Sequence, residues 1–450
     1  MHFSSCTVFS PRLIAVAALC TLTSFTHAQF VVGSSGTFGT GLSPNGTAIG
    51  EFSGDGITDI AVTIDAPDRI QFLVGSGTGT YVAGPTIALG NGTGAGDIVA
   101  ADIDNDGDAD LFVCLKNINS VRVYRNDGAG VFTVLGTFAT GSESVGPDVA
   151  DRNNDGFVDC AVANRDGNSA SVLTNNGGTG FTVVTFASGE DPRDTAFGDF
   201  DSDGDLDLAV TSHDDRTVRL HRNDGATYSP MLTINVPSNT RPSGVDAGDL
   251  NGDGLADLVV ANSDNAISFA SVYFRTRATF SAGVHYNTLG SNVGPITLAD
   301  LDCDLDLDIA AGNEDSGNIS VFTNDGTGGF GAAMLFASGA TLDAVASADL
   351  DGDGDNDLVV VNKDANSISV FDNSCAVAPV CGDGICDPGE DPTCVDCKVP
   401  TVQGDLNGDG LVNAEDLAIV LGGWGTPVGD INGDNTTDGF DIALVLGNWS

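Results

Sequence analysis

Seven times along this chain, oxygen-bearing side chains recur at alternate positions of a nine-residue segment. The pattern is acid-x-Asp/Asn-x-Asp-Gly-x-x-Asp, followed by a short apolar run, and it begins at Glu51, Asp102, Asp151, Asp199, Asp249, Asp300 and Asp349. Side-chain oxygens at positions 1, 3, 5 and 9, with a backbone carbonyl at position 7, match what a hard divalent cation needs. Ca2+ takes six to eight oxygens at roughly 2.3–2.6 Å, and Gly at position 6 permits the sharp turn around it. Without a cation, three to five carboxylates within nine residues would only repel one another.

The ligands predicted from this spacing are the following. The first loop offers Glu51, Ser53, Asp55, the Ile57 carbonyl and Asp59. The second offers Asp102, Asp104, Asp106, the Asp108 carbonyl and Asp110, and the third Asp151, Asn153, Asp155, the Phe157 carbonyl and Asp159. The fourth has Asp199, Asp201, Asp203, the Asp205 carbonyl and Asp207; the fifth has Asp249, Asn251, Asp253, the Leu255 carbonyl and Asp257. In the sixth they are Asp300, Asp302, Asp304, the Asp306 carbonyl and Asp308, and in the seventh Asp349, Asp351, Asp353, the Asp355 carbonyl and Asp357. Two loops depart from the pattern. In the first, Glu51 replaces one Asp and Ser53 replaces another, the serine lowering the ligand charge, and Leu305 stands where Gly belongs in the sixth, at a cost of about 1 kcal/mol for a left-handed backbone.

The loops start 48 to 51 residues apart, which makes them parts of a repeat. Each is preceded by a short strand pattern (Thr195-Ala196-Phe197-Gly198) and followed by an apolar run such as Leu358-Val359-Val360-Val361. A turn and a second strand come next, as at Val121-Arg122-Val123-Tyr124 or Ile319-Ser320-Val321-Phe322. That strand often ends in Asn-Asp-Gly, as at residues 126–128, 223–225 and 324–326. Four short strands per ~50 residues predict a propeller blade. The apolar runs are continuous rather than alternating, which suits strands packed on both faces. A nine-residue β-helix period is absent, and sandwich repeats would be nearer 100 residues. The fold class expected is all-β, a seven-bladed propeller of four-stranded blades over residues 29–374, with residues 30–34 supplying the outer strand of the last blade.

At this point the repeats resemble the FG-GAP/VCBS family of integrin α-like propellers. The resemblance implies structural calcium in the loops and recognition of a protein or glycan ligand on a face of a monomeric ring.

The remaining chain divides into three. Residues 1–28 read as a secretory signal: Arg12, an apolar run over 13–22 and a small residue at Ala28. Residues 375–400 hold Cys375, Cys381, Cys386, Cys394 and Cys397, read as a disulfide-braced linker with a zinc site as the alternative. Five is odd, so one thiol pairs outside the cluster or stays free. Cys114 and Cys160 are expected not to bond to each other.

Residues 401–450 carry a second duplication. Asp405, Asn407, Asp409, the Leu411 carbonyl, Asn413 and Asp416 fill the ligand positions of an EF-hand-like loop. Twenty-five residues later Asp430, Asn432, Asp434, the Thr436 carbonyl, Asp438 and Asp441 do so again. Leu417, Val420, Leu421 and Trp424, then Ile442, Val445, Leu446 and Trp449, have helical spacing. This resembles a type I dockerin, a small α-helical paired calcium module, which implies cohesin binding through residues such as Ala414-Glu415 and Gly439-Phe440. A tail that docks on the protein's own surface or on an envelope component is the alternative.

The 63 acidic residues outnumber the 16 basic ones, for a net charge of −47. That balance argues against nucleic acid and anionic membranes, both of which present phosphates, and no membrane insertion is expected. At 41% hydrophobic residues the chain is not a disordered acidic tail. No HExxH occurs, and the histidines beyond residue 28 are His213, His221 and His285, without a nucleophile elbow. Two functions stay open: a secreted, calcium-stabilised adhesion or ligand-binding module tethered by its tail, or a polysaccharide-active enzyme recruited by that tail.

Overall fold

The computed structural model describes Phe30, residues 32–374 apart from 265, 266 and 278, and residues 414–422, 424, 437, 442, 445 and 446. The secretory-signal and cysteine-linker expectations, and the C-terminal ligand expectations other than Asp416, whose backbone falls in a helix, lie outside the described residues.

The strands assemble into seven antiparallel four-stranded sheets, which are the blades of a propeller. The innermost strands are Leu42–Gly50, Ala95–Ala101, Ser144–Ala150, Pro192–Gly198, Arg241–Gly248, Val293–Ala299 and Leu342–Ala348. Each packs beside the next, and the first packs beside the seventh, so the ring is closed. Closure is covalently staggered. Val32–Gly39 is the outer strand of blade 7, pairing antiparallel with Ser367–Asn373, so the closing strand runs further than residues 30–34.

The second strands explain the continuous apolar runs. Successive side chains of a strand point to opposite faces. In Asp110–Leu115, Leu111, Val113 and Leu115 enter the core against blade 1, whereas Phe112 and Cys114 enter the core against blade 3. Seven such cores form, one at each blade interface. Each second strand therefore serves two cores and has no wet face.

The inner strands line a central channel with a cavity of about 490 Å³. Four of its aspartates fasten one blade to the next. Asp97 accepts the Gly146 N–H at 2.8 Å, Asp148 that of Phe197 at 2.7 Å, Asp194 that of Val245 at 3.0 Å and Asp246 that of Leu298 at 2.9 Å. Burial pushes the Asp148 carboxyl up to about 7 and that of Asp246 to about 6, despite these bonds.

In the C-terminal segment a helix spans Ala414–Gly422, and Val420 and Val445 are buried with Leu417 and Ile442 against them. Among the described residues, no helix is long and apolar enough to cross a membrane.

Candidate metal centres

Every acid loop joins the innermost strand of a blade to its second strand, so all seven lie on one face of the ring. Their backbones agree closely. Position 6 is left-handed throughout: Gly56, Gly107, Gly156, Gly204, Gly254 and Gly354 have φ between +80° and +97°, and Leu305 has φ +73°. The sixth loop thus keeps the turn without glycine, leaving its leucine side chain 90% exposed. Position 4 is also left-handed in all seven, at Gly54, Asn105, Asn154, Ser202, Gly252, Cys303 and Gly352. The sequence reading missed this. Its signal is the preference of Gly and Asn for that region.

The side chains follow a shared plan. The position-1 carboxylate folds over the loop and accepts backbone N–H groups near positions 4 to 6: Asp102 from Asp106 and Gly107, Asp151 from Asp155 and Gly156, Asp199 from Ser202 and Gly204. Glu51, Asp249, Asp300 and Asp349 do the same. The position-5 carboxylate accepts the position-7 N–H, from Ile57 onto Asp55 through Asp355 onto Asp353. These bonds aim the turn inward and leave each carboxylate lone pairs for a cation.

Position 9 is deepest. Asp59, Asp110, Asp159, Asp207, Asp257, Asp308 and Asp357 are all essentially buried. In each, one oxygen accepts the position-2 N–H and the other an N–H at the end of the third strand. For Asp207 these donors are Phe200 at 3.0 Å and Asn223 at 2.8 Å. Burial nevertheless pushes Asp110, Asp159 and Asp257 up to about 6, Asp207 and Asp357 to about 7, and Asp308 to about 8. Neighbouring loop carboxylates add to the shift. A divalent cation would reverse it by favouring the ionised form.

Position 3 supplies the test of fit. Asp104 Oδ1 and Asp201 Oδ1 are buried oxygens with no hydrogen-bond partner. An unsatisfied buried carboxylate oxygen is costly, and a cation within the loop would satisfy it. Ligand oxygens of Asp102, Asp104 and Asp110 lie within 4.8 Å of one another, as do those of Asp199, Asp201 and Asp203, of Asp300, Asp302 and Asp304, and of Asp349, Asp351 and Asp353. In the third and fifth loops Asn153 and Asn251 turn their amide N–H to Asp155 and Asp257. Rotating the amide by 180° would present its oxygen instead. In the second loop Arg125 Nε already stands 2.8 Å from Asp104 Oδ2. The donor set is hard oxygen throughout, which fits Ca2+.

An Asn at the end of the third strand, whether or not Asp-Gly follows it, does more than turn. Asn175, Asn223, Asn324 and Asn373 each donate from Nδ2 both to the position-8 carbonyl of their own loop and to the position-2 carbonyl of the preceding one. Arg275 Nε replaces this link in blade 5, reaching the Phe200 carbonyl. The constant 16-residue offset from position 9 was the available signal.

The remaining reactive groups lie outside the loops, except for Cys303 at position 4 of the sixth. Cys114 and Cys160 are free thiols, as expected, yet they share one inter-blade core, where burial pushes both far up. Cys303 is disulfide-bonded. His221 Nε2 lies 3.2 Å from Ser188 Oγ, but its Nδ1 has no partner to orient it, and burial lowers it to about 4.

Seven closed blades with an acid loop on every inner turn define a repeat propeller. The FG-GAP-like repeat model matches residues 51–113, 151–210, 199–260, 249–311 and 300–360, more than half of the chain, and the chain belongs to that family. No curated protein matches it. Among solved structures it is similar to BBS1N in a lead-soaked crystal of its complex with ARL6DN, with TM-score 0.54 and 14% identity over 78% of this chain and 99% of that one. It is also similar to a protein from Lactobacillus plantarum, with TM-score 0.53 and 13% identity over 67% and 86%. At such identities the likeness is one of fold.

Proposed function

We propose that this propeller is an exported, calcium-stabilised binding module. Its seven loops each hold one Ca2+ through the positions named above. A face of the ring meets a protein or glycan ligand. Residues 401–450 form a dockerin-like module that takes two further ions and tethers the ring to a cohesin or a cell-surface complex. The observation that carries the calcium reading is the buried, unpartnered position-3 oxygen of Asp104 and of Asp201 inside loops already folded by their own backbone amides.

The test is direct. The chelator-stripped chain, dialysed against buffered calcium, should take up several ions per molecule and melt at a higher temperature. A chain that takes up none refutes the reading. Capture on a cohesin panel with and without residues 401–450 tests the tether, and turnover on polysaccharides tests the enzymatic alternative.

A further inference from the structure

The seven loops are not equally isolated from one another. Asn105, at position 4 of the second loop, donates from Nδ2 to the Gly156 carbonyl, at position 6 of the third, at 2.8 Å. Asn154, at position 4 of the third, donates to the Gly204 carbonyl of the fourth at 2.8 Å. The same two glycine peptides are held from their other end. The peptide that carries the Gly156 carbonyl has the Phe157 N–H, which binds Asp155 at 2.9 Å, and the one that carries the Gly204 carbonyl has the Asp205 N–H, which binds Asp203 at 3.0 Å, so each acceptor peptide is fastened to the position-5 carboxylate of its own loop. Asn105 and Asn154 sit at φ +60° and +56°, between the position-3 and position-5 ligands of their own loops. The other five loops carry Gly, Ser or Cys at position 4 (Gly54, Ser202, Gly252, Cys303 and Gly352), none of which has a side-chain amide to lend.

The geometry points to a chain of positive coupling along one arc of the ring, from loop 2 through loop 3 to loop 4, in which Asn105 and Asn154 are positioning residues for the neighbour's cation. The inference rests on the calcium reading and deepens it. An ion in loop 2 fixes positions 3 and 5, and with them the backbone that aims Asn105. Asn105 then holds the peptide whose N–H orients Asp155, so loop 3 is partly ordered before its own ion arrives. Asn154 passes the same bias to Asp203. Two sites are coupled when one ligand prepays the ordering that the other needs. One solvent-exposed amide hydrogen bond of this kind is worth about a three- to tenfold change in affinity per link.

Glycine is the variant that isolates the side chain, because position 4 is naturally Gly in loops 1, 5 and 7 and glycine tolerates the left-handed backbone. Calcium isotherms of the full chain should be measured by titration calorimetry for the wild type, for Asn105→Gly/Asn154→Gly, and for each with loop 3 disabled by Asp151→Asn/Asp155→Asn. In the wild-type background, disabling loop 3 should remove one ion and weaken further sites by about three- to tenfold. In the glycine background the same change should remove one ion and leave the other affinities unaltered, with the ion count otherwise preserved. If the glycine variant shows the same affinities as the wild type, or if disabling loop 3 weakens its neighbours equally in both backgrounds, coupling through these amides is overturned while the calcium reading stands. If the wild type binds no calcium, both fall.

Discussion

Asn223 offers a measure of how much the blade-to-blade latches contribute. Its side chain is 4% exposed and makes four hydrogen bonds. Nδ2 donates to the Arg152 carbonyl of blade 3 at 3.1 Å and to the Leu206 carbonyl at 3.2 Å; Oδ1 accepts from Gly225 N–H at 2.9 Å and from the Arg152 guanidinium at 2.9 Å. In Asn223→Ala two of the four partners retain other bonds. The Arg152 carbonyl keeps the Leu206 N–H, and the guanidinium keeps Thr174. The Leu206 carbonyl and the Gly225 N–H lose this partner. At about 1–2 kcal/mol for each group left unpaired, the expected loss is about 2–4 kcal/mol. That is a large share of an ordinary domain's stability. Asn126 is the internal control, since its side-chain bonds to Ala109 and Gly128 are both 3.3 Å; Asn126→Ala should cost about 1 kcal/mol. The assay is urea unfolding followed by far-ultraviolet circular dichroism, because both tryptophans, Trp424 and Trp449, lie outside the ring. Asn223 is neutral and no metal ligand, so the loss should be the same in calcium and in chelator. A loss below 1 kcal/mol, or one equal to that of Asn126→Ala, would refute the latch.

Three further outcomes are expected. Chelation should lower the melting temperature, since each site held at 100 times its Kd contributes about 2.7 kcal/mol; Asp203→Asn should reduce the calcium-dependent gain and leave the melt in chelator unchanged. In chelator, stability should rise as pH falls from about 8 towards 4. Asp207, Asp308 and Asp357 have folded-state values raised to about 7, 8 and 7, so their protonated forms favour folding, and that contribution is lost as pH rises through those values. Melts in chelator at pH 5 and 8 check this, and a lower melting temperature at pH 5 would contradict it. Leu305→Gly should stabilise the ring by about 1 kcal/mol in denaturant titrations, because an exposed leucine at φ +73° gains nothing from burial.

The ring and its loops were legible because both are periodic. Acids at fixed offsets, repeated every ~50 residues, specify a turn chemistry and a blade at once, and two-faced strands such as Asp110–Leu115 announce themselves by lacking polar residues. What escaped notice depends on contacts between repeats. Asp97 and Asp194 lie five residues before their loops, whereas Asp148 and Asp246 lie three before theirs. Both offsets face the channel, since they differ by two along a strand, but the change of register hides the pattern from inspection. Asn223 looked like a turn residue because its sequence neighbours, Asp224 and Gly225, explain it locally. Its partner Arg152 is 71 residues away.

The strand Val32–Gly39 has a consequence in time rather than in space. It is among the first parts of the ring to be synthesised, and its partner Ser367–Asn373 is among the last. At about 5–20 residues per second, the interval is on the order of 15–70 s. For that interval the strand cannot form its native pairing, and a lone extended segment invites pairing with another chain. Its sequence, Val-Gly-Ser-Ser-Gly-Thr-Phe-Gly, suits the wait: three glycines and two serines make it a poor aggregator, and it acquires strand structure only when the seventh blade provides a template. The residues that make the ring's weakest strand by composition are those best suited to arriving at its closure late.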